Sequence, residues 1–449
     1  MMAWACIIAV VLMAASGCGK KSDRTAISRD RDAAAVVVVQ RTPLGVSFTD
    51  EVEPNDTSEQ AGALDLPGGI RGTLDGEADV DLYRLTVSEP GWLALEVSGI
   101  DGVDLILELR DDSGASLARS DRGPARTIEG VPNYRVEKGR YLVAVSEFVK
   151  KRAKTKRGKG DQGRTGRSPT YELTATLAST EPEPHHEREP NQGAAEALEL
   201  PITTDGFGFI GWRDDVDRWR ISVEGLSEEY GLDIDLTPVE GVQLTLEVLD
   251  DNGDPVLSRK GDKSKAVAVR SLARKPGHEH YYVRISGRGS NPIERYALRF
   301  SNHLLDLEEE REPNDDRASA TPVWREPGRD SGTASGRLLP GDVDWFALTV
   351  PPASQLTITV SPPAEVDVAL AVANKDGGIL GESDAEKVGG REALHDIPVS
   401  GSIYIIVKGQ GSADTLEPYE LSWSLGFGAP APAAPDSRGD PSYDPYDED

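Results

Sequence analysis

The segment Glu51-Val52-Glu53-Pro54-Asn55-Asp56 places four oxygen donors, Glu51, Glu53, Asn55 and Asp56, in one short stretch. Downstream, Asp79-Val80-Asp81-Leu82-Tyr83 would add two carboxylates, Asp79 and Asp81, if the segments meet in space. Carboxylates mixed with an amide carbonyl suit a hard cation such as calcium, which takes roughly six to eight oxygens. The same two signatures recur near the end of the chain as Glu310, Glu312, Asn314 and Asp315, followed by Asp342 and Asp344. They also recur in the middle as Glu187-Arg188-Glu189-Pro190-Asn191-Gln192, followed by Asp215-Val216-Asp217. Gln192 stands there where the others have Asp, so the middle copy is expected to bind a cation less well. A plainer alternative stays open. Pro-Asn-Asp makes a good turn in which Asn and Asp satisfy local N–H groups, and Asp-x-Asp is compatible with the polar face of a strand.

Other chemistry finds little support. Asp250-Asp251-Asn252-Gly253-Asp254 begins like an EF-hand loop, but Pro255 occupies the required Gly position and Gly261 that of the bidentate Glu. A hairpin turn is expected instead. His185-His186-Glu187 and His278-Glu279-His280 lack the His-Glu-x-x-His spacing of a zinc protease. Gly381-Glu382-Ser383-Asp384-Ala385 is only loosely like a nucleophile elbow. With 6 His in the chain, no Ser-His-Asp set can be assembled, and no enzyme is expected.

The elements that would position these residues also recur. Each copy continues with an alternating run and a turn: Leu105-Leu107-Leu109 with Asp111-Asp112-Ser113-Gly114, Leu244-Leu246-Val248 with Asp250-Asp251-Asn252-Gly253, and the run 366–373 with Asn374-Lys375-Asp376-Gly377. Strands at 141–145, 281–285 and 403–407 follow, and each copy closes on a Tyr-led strand at Tyr171, Tyr296 or Tyr419. Alternation of period two puts one face on a core. The Gly-bearing turns suit tight hairpins. No amphipathic helix longer than about ten residues is evident. About eight short strands per copy point to tandem sandwiches.

Together, the Glu-Pro-Asn-Asp start, the Asp-x-Asp strand, the Gly turn and the closing Tyr-x-Leu strand resemble bacterial pre-peptidase C-terminal (PPC) domains. Collagen-binding domains of clostridial collagenases are similar. The resemblance spans residues 50–427 and implies an all-β chain of three tandem jelly-roll-like antiparallel β-sandwiches, over 50–180, 181–304 and 305–427. It also implies a calcium site at Glu51, Glu53, Asn55, Asp56 and Asp79, and another at Glu310, Glu312, Asn314, Asp315 and Asp342. Such domains usually accompany secreted peptidases and aid secretion, localisation or substrate binding. No peptidase signature stands beside them in this sequence.

The first residues suggest an address. An apolar stretch around Ile7-Ile8-Ala9-Val10-Val11-Leu12-Met13 is too short to span a bilayer comfortably but fits an export signal. It runs into Ala15-Ser16-Gly17-Cys18, which resembles a bacterial lipobox. The expectation is a signal peptide at 1–17, then a lipidated Cys18 and tether over 18–49. This would anchor the protein in the cell envelope, with Gly19 favouring the outer membrane. Only Cys6 and Cys18 exist, so no disulfide framework is available.

Charge narrows the partners. Lys+Arg 49 against Asp+Glu 77 give a net charge of -28, which repels phosphate backbones and argues against nucleic acid. With 46 Gly, 30 Pro and only 3 Met, a Met-rich helical binder is equally unexpected. One stretch, 150–167, runs against the acidic background with Lys150, Lys151, Arg152, Lys154, Lys156, Arg157, Lys159, Arg164 and Arg167. A solvated loop, docking on the acidic chain, and attraction to an anionic surface at about 1 kcal/mol per cation are all open. Residues 428–449 form a Pro/Ala/Asp tail. The leading expectation is a non-enzymatic envelope lipoprotein that binds an envelope or extracellular protein or polysaccharide, with calcium as cofactor. The alternatives are a structural spacer or assembly subunit, or an accessory subunit of a separately encoded peptidase.

Overall fold

The computed structural model describes residues 46–149, 164–339, 342–410 and 417–427. Cys18, most of the tether, the run Lys150, Lys151, Arg152, Lys154, Lys156, Arg157 and Lys159, and the tail 428–449 lie outside the described residues. Within them every regular element is a strand.

The first sandwich has ten strands: β1 (Phe48–Asp50), β2 (Gly62–Leu64), β3 (Gly68–Gly72), β4 (Val80–Val87), β5 (Gly91–Val97), β6 (Leu105–Asp111), β7 (Ser116–Ser120), β8 (Glu129–Val136), β9 (Gly139–Glu147) and β10 (Tyr171–Ala178). They form two sheets, ordered β1-β3-β10-β5-β8 and β2-β4-β9-β6-β7. The second sandwich follows with β11 (Leu198–Glu199), β12 (Asp205–Gly208), β13 (Val216–Ser222), β14 (Tyr230–Leu236), β15 (Gln243–Leu249), β16 (Pro255–Lys263), β17 (Val267–Ala273), β18 (His280–Arg288) and β19 (Tyr296–Leu304). Its sheets, β12-β19-β14-β17 and β11-β13-β18-β15-β16, repeat the first order, with the single parallel bridge His186–Phe207 in place of the β1 pairing.

In the third sandwich the strands are β20 (Thr321–Pro322), β21 (Ser331–Gly336), β22 (Val343–Ser361), β23 (Asp367–Asn374), β24 (Ile379–Ser383), β25 (Glu392–Gln410) and β26 (Tyr419–Phe427). Here β22 and β25 each do the work of two strands. The first half of β22 pairs with the second half of β25; past a register shift between Val350 and Ser354, its second half pairs with the first half of β25. Both strands therefore cross from one sheet to the other, so the sheets merge into one bent ladder while the pairing order is kept.

Alternation builds each core. Leu244, Leu246 and Val248 on β15 are fully buried, while Thr245 and Glu247 between them are half-buried. Cutting Leu246 to Ala would cost about 2–5 kcal/mol. The Asp-rich turn after β15 is a hairpin, as expected. Asp250 Oδ1 accepts from the N–H groups of Asn252 and Asp254, each at 3.0 Å, and Gly253 takes φ +83°. Asp111 with Gly114 and Asn374 with Gly377 repeat this turn.

Candidate metal centres at the sandwich junctions

The Glu-x-Glu-Pro-Asn segment meets the Asp-x-Asp strand in all three sandwiches. Backbone bonds fix the meeting in the first and third: Leu82 N–H donates to Asn55 O at 3.1 Å, and Trp345 N–H to Asn314 O at 3.0 Å. The closing strand then contributes a tyrosine. Tyr171 OH donates to Asp81, Tyr296 OH to Asp217 at 2.7 Å, and Tyr419 OH to Asp344 at 2.6 Å. A glycine faces each centre because nothing larger fits. A Cβ on Gly72, Gly208 or Gly336 would lie 2.3–2.6 Å from both the first Glu of the motif and this tyrosine hydroxyl. In each copy three carboxylates bring an oxygen within 4.8 Å of one another: Glu51, Glu53 and Asp81; Glu187, Glu189 and Asp217; Glu312, Asp342 and Asp344.

The three centres differ in what covers them. The first is open. Glu53 and Asp56 are exposed, Glu51 and Asp79 are half-buried, and only Asn55 and Asp81 are buried. Glu51 Oε1 accepts from Thr73 N–H at 2.7 Å, and Glu53 Oε2 from Asn55 N–H at 3.0 Å. Asp81 Oδ1 and Asn55 Oδ1 are buried without a partner. Burial, followed by the charges of Glu51, Asp79 and Glu53, pushes Asp81 up to about 8.

The second centre is sealed by the first sandwich. A bulge in β8 turns Asn133 and Arg135 outward onto the next motif. Asn133 Nδ2 donates to Glu187 Oε1 at 3.0 Å, and Arg135 N–H to Glu189 O at 2.8 Å. Trp212 packs into the first sandwich's core, its ring 5.9 Å from that of Tyr134. Glu187, Glu189, Asn191, Asp215 and Asp217 are all buried. One oxygen of each carboxylate accepts from a neutral donor: Asn133, Gln192, Gly211 N–H or Tyr296. The other oxygens, Glu187 Oε2, Glu189 Oε1, Asp215 Oδ1 and Asp217 Oδ1, are buried without a partner, as is Asn191 Oδ1. Burial and then mutual repulsion hold Glu187, Glu189 and Asp215 far above the usual carboxylate range, and burial pushes Asp217 up to about 6.

The third centre is sealed by the second sandwich through the equivalent bulge in β17. Ala273 N–H donates to Glu312 O at 2.8 Å, and Glu312 N–H to Ser271 O at 3.0 Å. A cation already lies inside. Arg259, on β16, is 5% exposed and sends Nη2 to Glu312 Oε1 at 2.7 Å and to Asp342 Oδ1 at 2.8 Å. Its Nη1 lies 3.5 Å from Asp315. Burial opposes the guanidinium charge, but Asp342, Glu312 and Asp315 outweigh it and raise its pKa. Glu310 Oε2, Asn314 Oδ1 and Asp344 Oδ1 keep no partner.

The three copies thus differ in enclosure. The second, expected to be weakest for want of an acid at Gln192, is the most enclosed, and no arginine or lysine fills it among the described contacts. Its motif-final position lies at the rim, as do Asp56, which is exposed, and Asp315, which is 41% exposed; from there Gln192 donates to Glu189. Asn133, Arg259 and the three tyrosines escaped the sequence reading. The recurring closing Tyr was visible in the sequence, but Arg259 had no motif to mark it.

Other singled-out residues are structural. Arg164 pairs with Glu147 at 2.8 Å and caps the carbonyls of Leu74 and Gly76; Arg167 pairs with Asp75 at 2.8 Å. This end of the basic stretch docks on the acidic chain. His186 stacks on Phe207, and His280 faces Asp251 at 3.4 Å.

No family model and no curated protein matches the sequence. Solved structures similar to parts of the chain include the pre-peptidase C-terminal domain of a collagenase from Bacillus anthracis, 20% identical, covering 28% of this chain and 100% of that one, at TM-score 0.21. A periplasmic inhibitor of g-type lysozyme from Aeromonas hydrophila is 18% identical over 24% of this chain and 96% of that one, at TM-score 0.19. The M60 catalytic domain with two CBM51 domains of Clostridium perfringens ZmpB is 10% identical over 78% of this chain and 55% of that one, at TM-score 0.17. Likenesses of this size fix neither ligand nor role.

Proposed function

We propose that the chain is a non-enzymatic, envelope-anchored lipoprotein in which calcium stiffens a tandem array of PPC-like sandwiches. The array would present its sheet faces to an envelope or extracellular protein or polysaccharide, with lipidated Cys18 holding it to the outer membrane. One observation carries the metal reading: five buried oxygens at the first junction, from four carboxylates and one amide, lack a donor among the described residues. Burying ionised carboxylates without a counter-charge is very costly, so such groups protonate, pair or bind a metal. An all-oxygen set with no His or Cys fits calcium better than zinc or copper. Glu187, Glu189, Asn191, Asp215 and Asp217 would hold the ion in the second centre. Glu51, Glu53, Asn55, Asp56, Asp79 and Asp81 would hold it in the first, with part of the shell left to water.

A second reading, a rigid spacer or assembly subunit, is favoured by the location of the enclosed centres. They lie where one sandwich grips the next, so a cation there would set the stiffness of the array.

Thermal melting of the full chain in EDTA and in millimolar calcium tests the metal reading. A rise of several degrees in calcium is expected; coincident curves would refute it. Retrieval of an envelope component from native membranes only in calcium would separate the binding array from the spacer.

A further inference from the structure

We infer that Arg259 takes the place of the divalent cation in the third centre, so that the junction between the second and third sandwiches needs no metal. The inference rests on the calcium reading of the other centres and concerns the one copy that departs from them. Strand registers identify the departure. Leu107 faces Ser120 across the β6–β7 ladder, Leu370 faces Ser383 across β23–β24, and Leu246 faces Arg259 across β15–β16. Arg259 therefore occupies a position that is serine in both other sandwiches.

Those serines have a partner of their own. Ser120 Oγ donates to the buried Glu129 at 2.6 Å, and Ser383 Oγ to Glu392 at 2.5 Å. Glu129 faces Val97, and Glu392 faces Val360; the residue in that register in the second sandwich is Val267, which faces Leu236. The second sandwich has thus lost both members of the Ser–Glu pair. An arginine there has no acid to bond on its own strands, and its side chain runs outward into the next sandwich's acidic centre.

The chemistry fits substitution rather than coexistence. A guanidinium keeps its proton at any ordinary pH and brings a rigid fork of donors. Nη2 bridges Glu312 and Asp342, carboxylates whose counterparts in the second centre, Glu189 and Asp215, each keep a donorless oxygen. Five partnerless oxygens in the second centre become three in the third. A divalent ion among Glu312, Asp342 and Asp344 would also sit against the buried guanidinium, and like charges a few ångströms apart repel strongly in a medium this dry.

The test is the number of calcium ions bound per full chain, counted by equilibrium dialysis, in the wild type, in Arg259→Ser and in Arg259→Ser/Val267→Glu. The double variant rebuilds the pair seen at Ser120–Glu129 and guards against a folding defect in the single one. A gain of one ion per chain over wild type in either folded variant supports the inference. An unchanged number in both overturns it. The wild-type number separately tests the calcium reading: zero there with a gain in the variant would sink the first two centres and leave Arg259's role standing. Hydrogen exchange adds a readout that the count does not contain. In EDTA the Ala273 and Glu312 amides of wild type should stay protected while the Arg135 amide exchanges faster; equal loss at both junctions overturns the inference.

Discussion

Replacing Glu189 by Gln should change stability in opposite directions with and without calcium. Glu189 is 1% exposed, and one of its oxygens lies within 4.8 Å of oxygens on Glu187 and Asp217. Two unit charges at that distance repel by about 3.5 kcal/mol at an effective dielectric of about 20. Without metal, this repulsion raises the carboxyl pKa values and is relieved only by taking up protons. Glu189→Gln needs no such proton uptake and should therefore stabilise the metal-free second sandwich by up to about 3 kcal/mol at pH 7. On the proposed reading the carboxylate is a calcium ligand, and its loss should weaken binding. Calcium held at about 1,000 times its Kd stabilises wild type by about 4.1 kcal/mol, which exceeds that gain. Urea unfolding of the full chain would be followed by hydrogen exchange on β13 (Val216–Ser222), which reads the second sandwich alone. In EDTA the midpoint of Glu189→Gln should lie above wild type; in millimolar calcium it should lie below. Destabilisation of equal size under both conditions would refute the argument, because Glu189 would then be only a hydrogen-bond acceptor for Gln192.

Further outcomes follow from the same geometry. Arg259→Met leaves Glu312 and Asp342 buried without their cation, and should cost about 3–5 kcal/mol in the exchange protection of the second junction when calcium is absent. Gly208→Ala forces a Cβ to within 2.3 Å of Glu187 Oε2 and Tyr296 OH, and should cost about 1–3 kcal/mol and remove the second centre's share of the calcium-induced rise in melting temperature. Burial pushes Glu129 up to about 7. Its folded pKa then lies above the unfolded value of about 4.3, so its contribution is fully present below about pH 4 and is lost as pH rises through about 7. Urea midpoints across that window should fall for wild type, and the slope at β8 should flatten in Glu129→Gln.

Much of the architecture was legible because it is local. Alternating runs such as Leu244-Leu246-Val248 and turns such as Asp250–Gly253 write strands and hairpins directly into the sequence, and threefold recurrence made them hard to mistake. The donor clusters were legible for the same reason, since Glu51, Glu53 and Asn55 are neighbours in the chain. Their ranking was not. Whether a carboxylate is exposed, sealed or paired depends on what the preceding sandwich places over it, and Asn133 and Arg259 lie 54 and 53 residues from the acids that they touch. Nothing in the spacing of Arg259 distinguishes it from a surface arginine. Only the ladder register, which sets it where two other sandwiches carry serine, reveals the exchange.

The same ladder registers bear on whether one copy of the chain can dock head-to-tail on another. Arg135 and Ala273 each donate a backbone N–H to the second Glu of the next motif. In the third sandwich that position on the bulged strand is Pro398, which faces Gln355 as Arg135 faces Trp92 and Ala273 faces Gly231. Proline has no N–H to give. Two residues earlier, where Asn133 offers a donor to Glu187 and Ser271 a carbonyl to Glu312 N–H, the third sandwich places the exposed carboxylate of Asp396. An incoming acidic motif would lose its anchoring bond and meet a like charge. These two residues are therefore expected to oppose docking of the first motif of a second copy. Sedimentation velocity should show no concentration-dependent chains for wild type in calcium. Pro398→Ala combined with Asp396→Asn restores the donor and removes the charge, and should shift the boundary towards larger species. If wild type already grows into chains, or if the double variant remains as monodisperse as wild type at the highest soluble concentration, these two residues are not what opposes head-to-tail association.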